Sequence, residues 1–206
     1  AFLYWLEHEK GFNVSCFTHF VAYSPKRAKL KPFIISDDKV EAIMEKGRSL
    51  EQKHPEFFKI FLLAASGGLR RSEIINLKWG HLQRFNGDWY LILDETKGGP
   101  DQRASIPAST ADKLLSVRNG HSDDDHVIDS TNRPKLLDRK FVPYLKEEFG
   151  ITHSKPLHFL RKVLGALIAT KHGIYAASKT LRHKSVSVTE QYYSDLLKPK
   201  NDINIV

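Results

Sequence analysis

Apolar residues fall at helical spacing along most of the chain, and one stretch instead reads as strand. Residues 1–22 carry two apolar clusters, Phe2, Leu3, Trp5 and Leu6, then Phe17, Phe20 and Val21, split by EKGFN. They predict one or two short helices. The stretch YSPKRAKLKPF, 23–33, is rich in Lys and Arg, holds two prolines and reads as a linker at a domain boundary. In SDDKVEAIMEKGRSL, Ser36 is a candidate N-cap, Asp37 and Asp38 fall in the first turn, and Val40, Ile43 and Met44 form a stripe. PEFFKIFLLAASGG is apolar on nearly every face, which predicts a buried helix that stops at Gly67–Gly68. RRSEIINLKW begins another helix at once. Trp89–Leu93 reads as a strand, Lys97–Gln102 as a turn and Ala104–Pro107 as a second strand, together a β-hairpin. Further helices are predicted over about 109–117, 135–148, 156–172 and 187–197. The fold class is therefore α+β, predominantly helical, with a small antiparallel β-hairpin or sheet.

Composition narrows the partners. Hydrophobic residues make up 41% of the 206 positions, enough for a packed core. The formal net charge is +8. That excess points to a polyanion, nucleic acid ahead of an anionic membrane. A single cysteine, Cys16, permits no disulfide within the chain, which fits a reducing cytosol. The longest apolar run, Ile60 to Ala65, is too short to span a membrane. The chain starts at Ala1, with no signal peptide, and reads as a fragment of a longer protein.

Three motifs carry candidate chemistry. In SGGLRRSEIINLKW, glycines set Arg70 at a helix entrance, where free N–H groups and a guanidinium together bind anions. Glu73 shares the face of Arg70 and is placed to hold it, although an ordinary surface Arg–Glu pair has the same spacing. In KPLHFLRKVLGALIAT, His158 and Arg161 share a face, with Leu160, Val163, Leu164 and Leu167 on the core side. This pair reads either as a phosphate site or as a solvated polar face. In HKSVSVTEQYYSD, Ser187 and Glu190 match a capping box, so a helix is expected to start near Val188. Tyr192 and Tyr193 then point about 100° apart. Local periodicity does not say which of them packs.

Other features read as structural. HSDDDH, 121–126, is a solvated loop rather than a metal site, and Cys16 with His19 lacks further zinc ligands. The sequon Asn13-Val14-Ser15 carries no meaning in a cytosolic chain. Phe57, Trp79 and Trp89 read as core. There is no Walker loop and no carboxylate cluster.

Taken together, the motifs resemble the tyrosine recombinase, or phage integrase, family. That family's pattern is an Arg in a G-L-R-x-x-E helix start, a lysine in a β-hairpin, H-x-x-R, and a histidine nine residues before a nucleophilic tyrosine. The chain carries GLRRSE, Lys97 in TKGG, HFLR and LRHKSVSVTEQYY, in that order. The resemblance covers residues 33–197. It implies an integrase-like, DNA breaking–rejoining fold. It implies that Tyr192 is the nucleophile, that Arg70 and Arg161 clamp the scissile phosphate, that Lys97 is the hairpin lysine, and that His158 and His183 are the two histidines. Glu73 matches the acidic residue that supports the first arginine. Residues 1–32 would be a remnant of the family's N-terminal core-binding domain plus the basic linker, and 33–206 the catalytic domain with its C-terminal tail. Three positions depart from the pattern: Arg182 where Gly is usual, Lys162 where a second His is common, and Gly67 in place of a frequent Thr.

The implied chemistry suits these residues. Attack on a phosphodiester builds charge on the non-bridging oxygens, which two guanidiniums meet with bidentate bonds. A tyrosine with a free pKa near 10 needs activation by cations and a histidine base. Lys97 is the candidate general acid for the leaving 5′-oxygen. The resemblance implies site-specific recombination through a 3′-phosphotyrosine and a Holliday junction, with no metal and no cofactor. Its partners would be double-stranded DNA bearing a specific site and three further copies in a tetramer on DNA, the chain being monomeric in isolation. No membrane is involved. The expected location is cytoplasmic, at the nucleoid of a bacterium or phage host. The tail LLKPKNDINIV offers Ile203, Ile205 and Val206 for packing, on a neighbour or on its own chain. Two alternatives remain at this point: nicking and resealing in the manner of a type IB topoisomerase, and DNA binding without catalysis.

Overall fold

The computed structural model describes Trp5, residues 8–11, Asn13, Phe33, and residues 35–93 and 102–193. The chain divides into two units, Ala1–Lys31 and Pro32–Val206. In the first, Trp5 and residues 8–10 are helical. The rest of the expected 1–22 helices and nearly all of the basic linker lie outside the described residues. So do Lys97 with its turn and the C-terminal tail.

The second unit opens with α1, Asp37–Lys53. Ser36 occupies the N-cap position in extended backbone, but its hydroxyl makes no capping bond, and the first turn relies on Asp37 and Asp38 against the helix dipole. Val40, Ile43, Gly47 and Leu50 form the buried stripe, and Met44 is only half-buried. Helix α2, Pro55–Ala65, starts on a proline and buries residues on every side, including Phe58, Ile60, Phe61 and Leu63. Gly68 then turns the chain at φ +57, a left-handed conformation suited to glycine. The Leu69 N–H donates to the Leu63 carbonyl at 3.0 Å and closes the helix end. The short helix α3, Arg71–Asn76, follows directly.

The expected hairpin is two strands of a three-stranded antiparallel sheet: β1 Leu82–Phe85, β2 Asp88–Leu93 and β3 Gln102–Ile106, in that order. β2 and β3 register Leu91 with Ala104, and both are buried. β1 is the strand that periodicity misses, because only Leu82 of its four residues is even half-buried. Its signal is the Asn86-Gly87 turn, where both residues have positive φ, 51° and 92°.

Helix α4, Ala108–Ser116, matches its predicted span to within a residue. The predicted 135–148 helix is three pieces: α5 Arg133–Leu136, a π-helical turn Leu137–Phe141, and α6 Val142–Glu147. Pro143 lacks the N–H that a regular helix would donate to the Arg139 carbonyl, and the wider turn forms just before it. Helix α7, Pro156–Thr180, is two helical segments, and the first ends at the predicted 172. Gly173 there is non-helical (φ 85, ψ 167), so the chain kinks and the helix resumes. Helix α8, Val186–Tyr193, begins two residues before the expected start. Ser185 rather than Ser187 caps it, its Oγ accepting from the Ser187 N–H at 3.2 Å.

The main core gathers α2, the sheet, α4 and the 137–151 segment around Ile60, Leu63, Leu91, Ile128 and Phe141. A second cluster, Ala166, Ala169, Ala177, Leu181 and Tyr193, fixes α8 on α7. Among the described residues no helix is long and apolar enough to cross a membrane.

Candidate active site

Arg70 stands at the mouth of α3 because Gly68 turns the chain immediately before it. Glu73, one turn on and buried, holds it twice. Glu73 Oε1 accepts from Arg70 Nη1 at 2.6 Å, and Oε2 from the Arg70 backbone N–H at 2.7 Å. Burial alone would raise the Glu73 carboxyl, but the Arg182 charge and the bonds from Arg70 outweigh it and hold it below its usual value. Arg70 and Glu73 are thus a fixed pair rather than a loose surface contact.

Arg161, on the inner face of α7, is only 3% exposed. Its Nη1 donates to the Gly68 carbonyl and its Nη2 to the Leu181 carbonyl. Burial first, then the Arg70 and Arg182 charges, push its pKa down to about 9, so it stays charged at neutral pH. His158, one turn earlier, is exposed. The expected common face of His158 and Arg161 is therefore neither wholly solvated nor wholly buried. Arg70, His158 and Arg161 line one cavity of about 480 Å³, bordered by Lys155 and by Arg71, whose Nε donates to Asp138 Oδ1 at 2.7 Å.

His183 follows the α7 terminus. Its Nδ1 lies 2.7 Å from Oγ1 of Thr189, a fully buried residue of α8. His158 and His183 both have pKa values lowered to about 4. Desolvation is the first cause in each. The Lys162 and Arg161 charges follow for His158, and the Arg161 and Arg70 charges for His183. At neutral pH both rings are neutral and can accept a proton.

The two tyrosines separate clearly. Tyr193 is 1% exposed, and its hydroxyl donates to the Lys162 carbonyl at 3.2 Å. Gly165 leaves room for its ring, since a Cβ there would lie 2.8 Å from Tyr193 Cζ. Burial pushes its phenol further up from an already high pKa. Tyr192 is half-buried, and Lys162 Nζ sits 4.4 Å from its ring centroid. Its carbonyl accepts from the Phe33 N–H at 3.0 Å. Among the described residues no hydrogen bond ties the Tyr192 hydroxyl to either arginine or either histidine. The structure thus brings Arg70, Glu73, His158, Arg161 and His183 together and leaves Tyr192 beside them on Lys162.

Sequence reasoning missed Arg182 as a member of this cluster. It is buried at the centre, and its Nη2 donates to Glu73 Oε2 at 2.7 Å. The only signal was its departure from the family's glycine. The HSDDDH loop is tied by Arg118 to Asp123 at 2.7 Å and by Asp125 to the Ser122 N–H at 2.7 Å.

The family model described as the phage integrase family matches residues 34–198. No curated protein matches. Among solved structures, XerA recombinase is similar at a TM-score of 0.60 and 19% identity, over 93% of this chain and 75% of that one. XerH site-specific recombinase bound to difH substrate is similar at 0.62 and 18%, over 78% of this chain and 50% of that one. The lambda integrase catalytic core is similar at 0.51 and 21%, over 72% of this chain and 90% of that one. The chain thus spans three quarters of the XerA chain and half of the XerH chain. It belongs to the tyrosine recombinase, or phage integrase, family of site-specific recombinases, and it has the integrase-type helical fold with a small antiparallel sheet.

Proposed function

We propose that this chain cleaves and rejoins double-stranded DNA at a specific site, through a covalent bond between Tyr192 and the 3′-phosphate. The observation that carries the reading is the convergence of Arg70, His158 and Arg161 on one cavity, with His183 in the field of the same two arginines and Tyr192 on Lys162, the residue after Arg161. Two guanidiniums facing one cavity suit a phosphodiester whose non-bridging oxygens gain charge as it is attacked. Tyr192 Oη attacks phosphorus, and its proton passes to a neutral histidine. The P–O5′ bond breaks, and the leaving oxygen takes a proton from Lys97. Attack requires the Tyr192 ring to leave the Lys162 face and reach the phosphate. Tyr193, buried and hydrogen-bonded, is the packing residue.

Rejoining follows when a 5′-hydroxyl attacks the phosphotyrosine. A hydroxyl from a second duplex gives strand exchange through a Holliday junction, in a tetramer assembled on DNA from monomers. One of the similar structures is a lambda integrase tetramer bound to a Holliday junction, which supports that assembly. The family match favours this reading over a topoisomerase-like one. Residues 1–32 serve as the end of a DNA-clasping domain plus linker, and 33–206 as the catalytic domain. The work is done in the cytoplasm, on the nucleoid.

The test uses a pool of singly nicked duplexes in the presence of EDTA. The expected product is a protein-linked 3′ end and a free 5′-hydroxyl that a kinase can label. A protein-linked 5′ end, or cleavage that EDTA abolishes, overturns the proposal.

A further inference from the structure

Arg182 carries two local costs. It is one of three non-glycine residues among those described with positive φ, at 51°. Its guanidinium is buried, and its Nε has no partner among the described residues. A strained backbone and an incompletely paired buried charge do not serve stability by themselves.

What the side chain reaches supplies a reason. Nη2 donates to Glu73 Oε2 at 2.7 Å, the same oxygen that accepts the Arg70 backbone N–H. Nη2 and Nη1 make longer contacts to the Gly68 carbonyl at 3.3 Å and to the Gly67 and Thr180 carbonyls at 3.4 Å. The Arg182 carbonyl, presented by the left-handed backbone, accepts from Arg70 Nη2 at 3.3 Å. Arg70 is thus held from both sides by one residue: directly through a main-chain oxygen, and indirectly through Glu73.

We propose that Arg182 is a positioning residue: through Glu73 and its own carbonyl it aims the Arg70 guanidinium at the scissile phosphate, and it ties the Gly67–Gly68 turn to the segment carrying His183. This rests on the reading of Arg70 as a phosphate clamp. Arg182 itself stays beneath the site and does not touch DNA. Its charge, with the bonds from Arg70, also holds the Glu73 carboxyl below its ordinary value. The groups that face Glu73 are Arg70 from the α3 mouth, Arg161 from α7, and Arg182 from the α7–α8 turn, with His183 beside them.

The test compares wild type, Arg182→Gly, Arg182→Lys, Glu73→Gln and the Arg182→Gly/Glu73→Gln double variant in the full chain. Glycine fits the left-handed backbone, so Arg182→Gly relieves strain while removing the guanidinium. The first readout is the first-order rate of adduct formation on the nicked-duplex pool, at saturating protein, across pH. Arg182→Gly is expected to slow it by about 10- to 100-fold, the range typical of a partner one step removed from the reacting atoms. The apparent Kd for DNA should change by less than about 3-fold, and the acid limb should move to higher pH. Arg182→Lys should recover part of the rate, and the double variant should be no slower than the slower single one. A wild-type rate in Arg182→Gly, losses that multiply in the double variant, or a loss confined to DNA affinity would each overturn the proposal.

The second readout needs no DNA. The Glu73 carboxyl, followed by carbon NMR, should titrate at higher pH in Arg182→Gly than in wild type. If wild type forms no adduct, the proposed function has failed, and Arg182 is judged on this titration alone. An unmoved Glu73 then refutes its role.

Discussion

At the residue scale, the division of labour between adjacent tyrosines is decided by what lies beneath them. Gly165 on α7 leaves a socket that Tyr193 fills, while the preceding side chain of α8, Tyr192, meets Lys162. The family spacing from His183 picks out Tyr192, but helical periodicity does not, since the socket is built by residues some thirty positions earlier in the chain. Arg70, Glu73, His158, Arg161 and His183 were legible as a set only through the family's pattern of short motifs, since each motif alone reads equally as a surface feature. Arg182 was not, because its partners are residues 67, 68 and 73, far away in sequence. A consequence can be measured at this scale. Folding holds His158 and His183 below the ordinary histidine value near 6.5, His183 at about 4. Between those values the unfolded chain binds more protons, so stability is full above about pH 6.5 and declines as pH falls toward 4. Glu73, held below its ordinary value, adds stability above about pH 4.5 that is lost on further acidification. Urea midpoints should therefore drop between pH 7 and 4, and less so in His183→Gln. A midpoint that stays flat over that window contradicts the assigned environments.

At the element scale, the helices were legible where a stripe of apolar residues faces one core, as in α1 and α4, or where the run is apolar all round, as in α2. The misreadings sit where one residue overrides the pattern. Pro143 widens a turn inside the 133–147 helix, whereas Gly173 ends the first segment of α7 where the sequence placed its end, and only the segment that resumes beyond it was unforeseen. β1 escaped notice because its residues face solvent, so it lacks the alternation of a half-buried strand. The start of α8 matters most for function, since that helix carries Tyr192. Ser185 caps it, and its Oγ also lies 2.8 Å from Ser187 Oγ. Ser185→Ala should cost about 1 kcal/mol in stability, as lost N-caps typically do. Ser187→Ala should cost less. Equal losses from the two in urea unfolding would place the cap where the capping-box spacing first put it.

At the scale of the whole molecule, the +8 charge and the cation-lined cavity point to the same partner. Binding to DNA should weaken steeply with salt. A chain that neutralises 6–10 phosphates loses roughly 10³- to 10⁵-fold in affinity between 50 and 200 mM salt. A linear fall of log affinity with log salt, read by fluorescence anisotropy on a duplex, is the expected result, and a flat line would remove the electrostatic footing of the reading. Fold class was legible from the sequence because helical periodicity dominates it. The third strand was not, because its residues face solvent, and the buried guanidinium was not, because its partners at residues 67, 68 and 73 lie far off in the chain.

The most direct measurement is covalent trapping on the nicked-duplex pool with wild type, Tyr192→Phe and Tyr193→Phe in parallel. On a denaturing gel, wild type and Tyr193→Phe should give a DNA–protein adduct and Tyr192→Phe none. Tyr193→Phe should lose only the stability of one buried hydrogen bond, about 1 kcal/mol. An adduct that survives Tyr192→Phe, or one that disappears only with Tyr193→Phe, would contradict the assignment of the nucleophile.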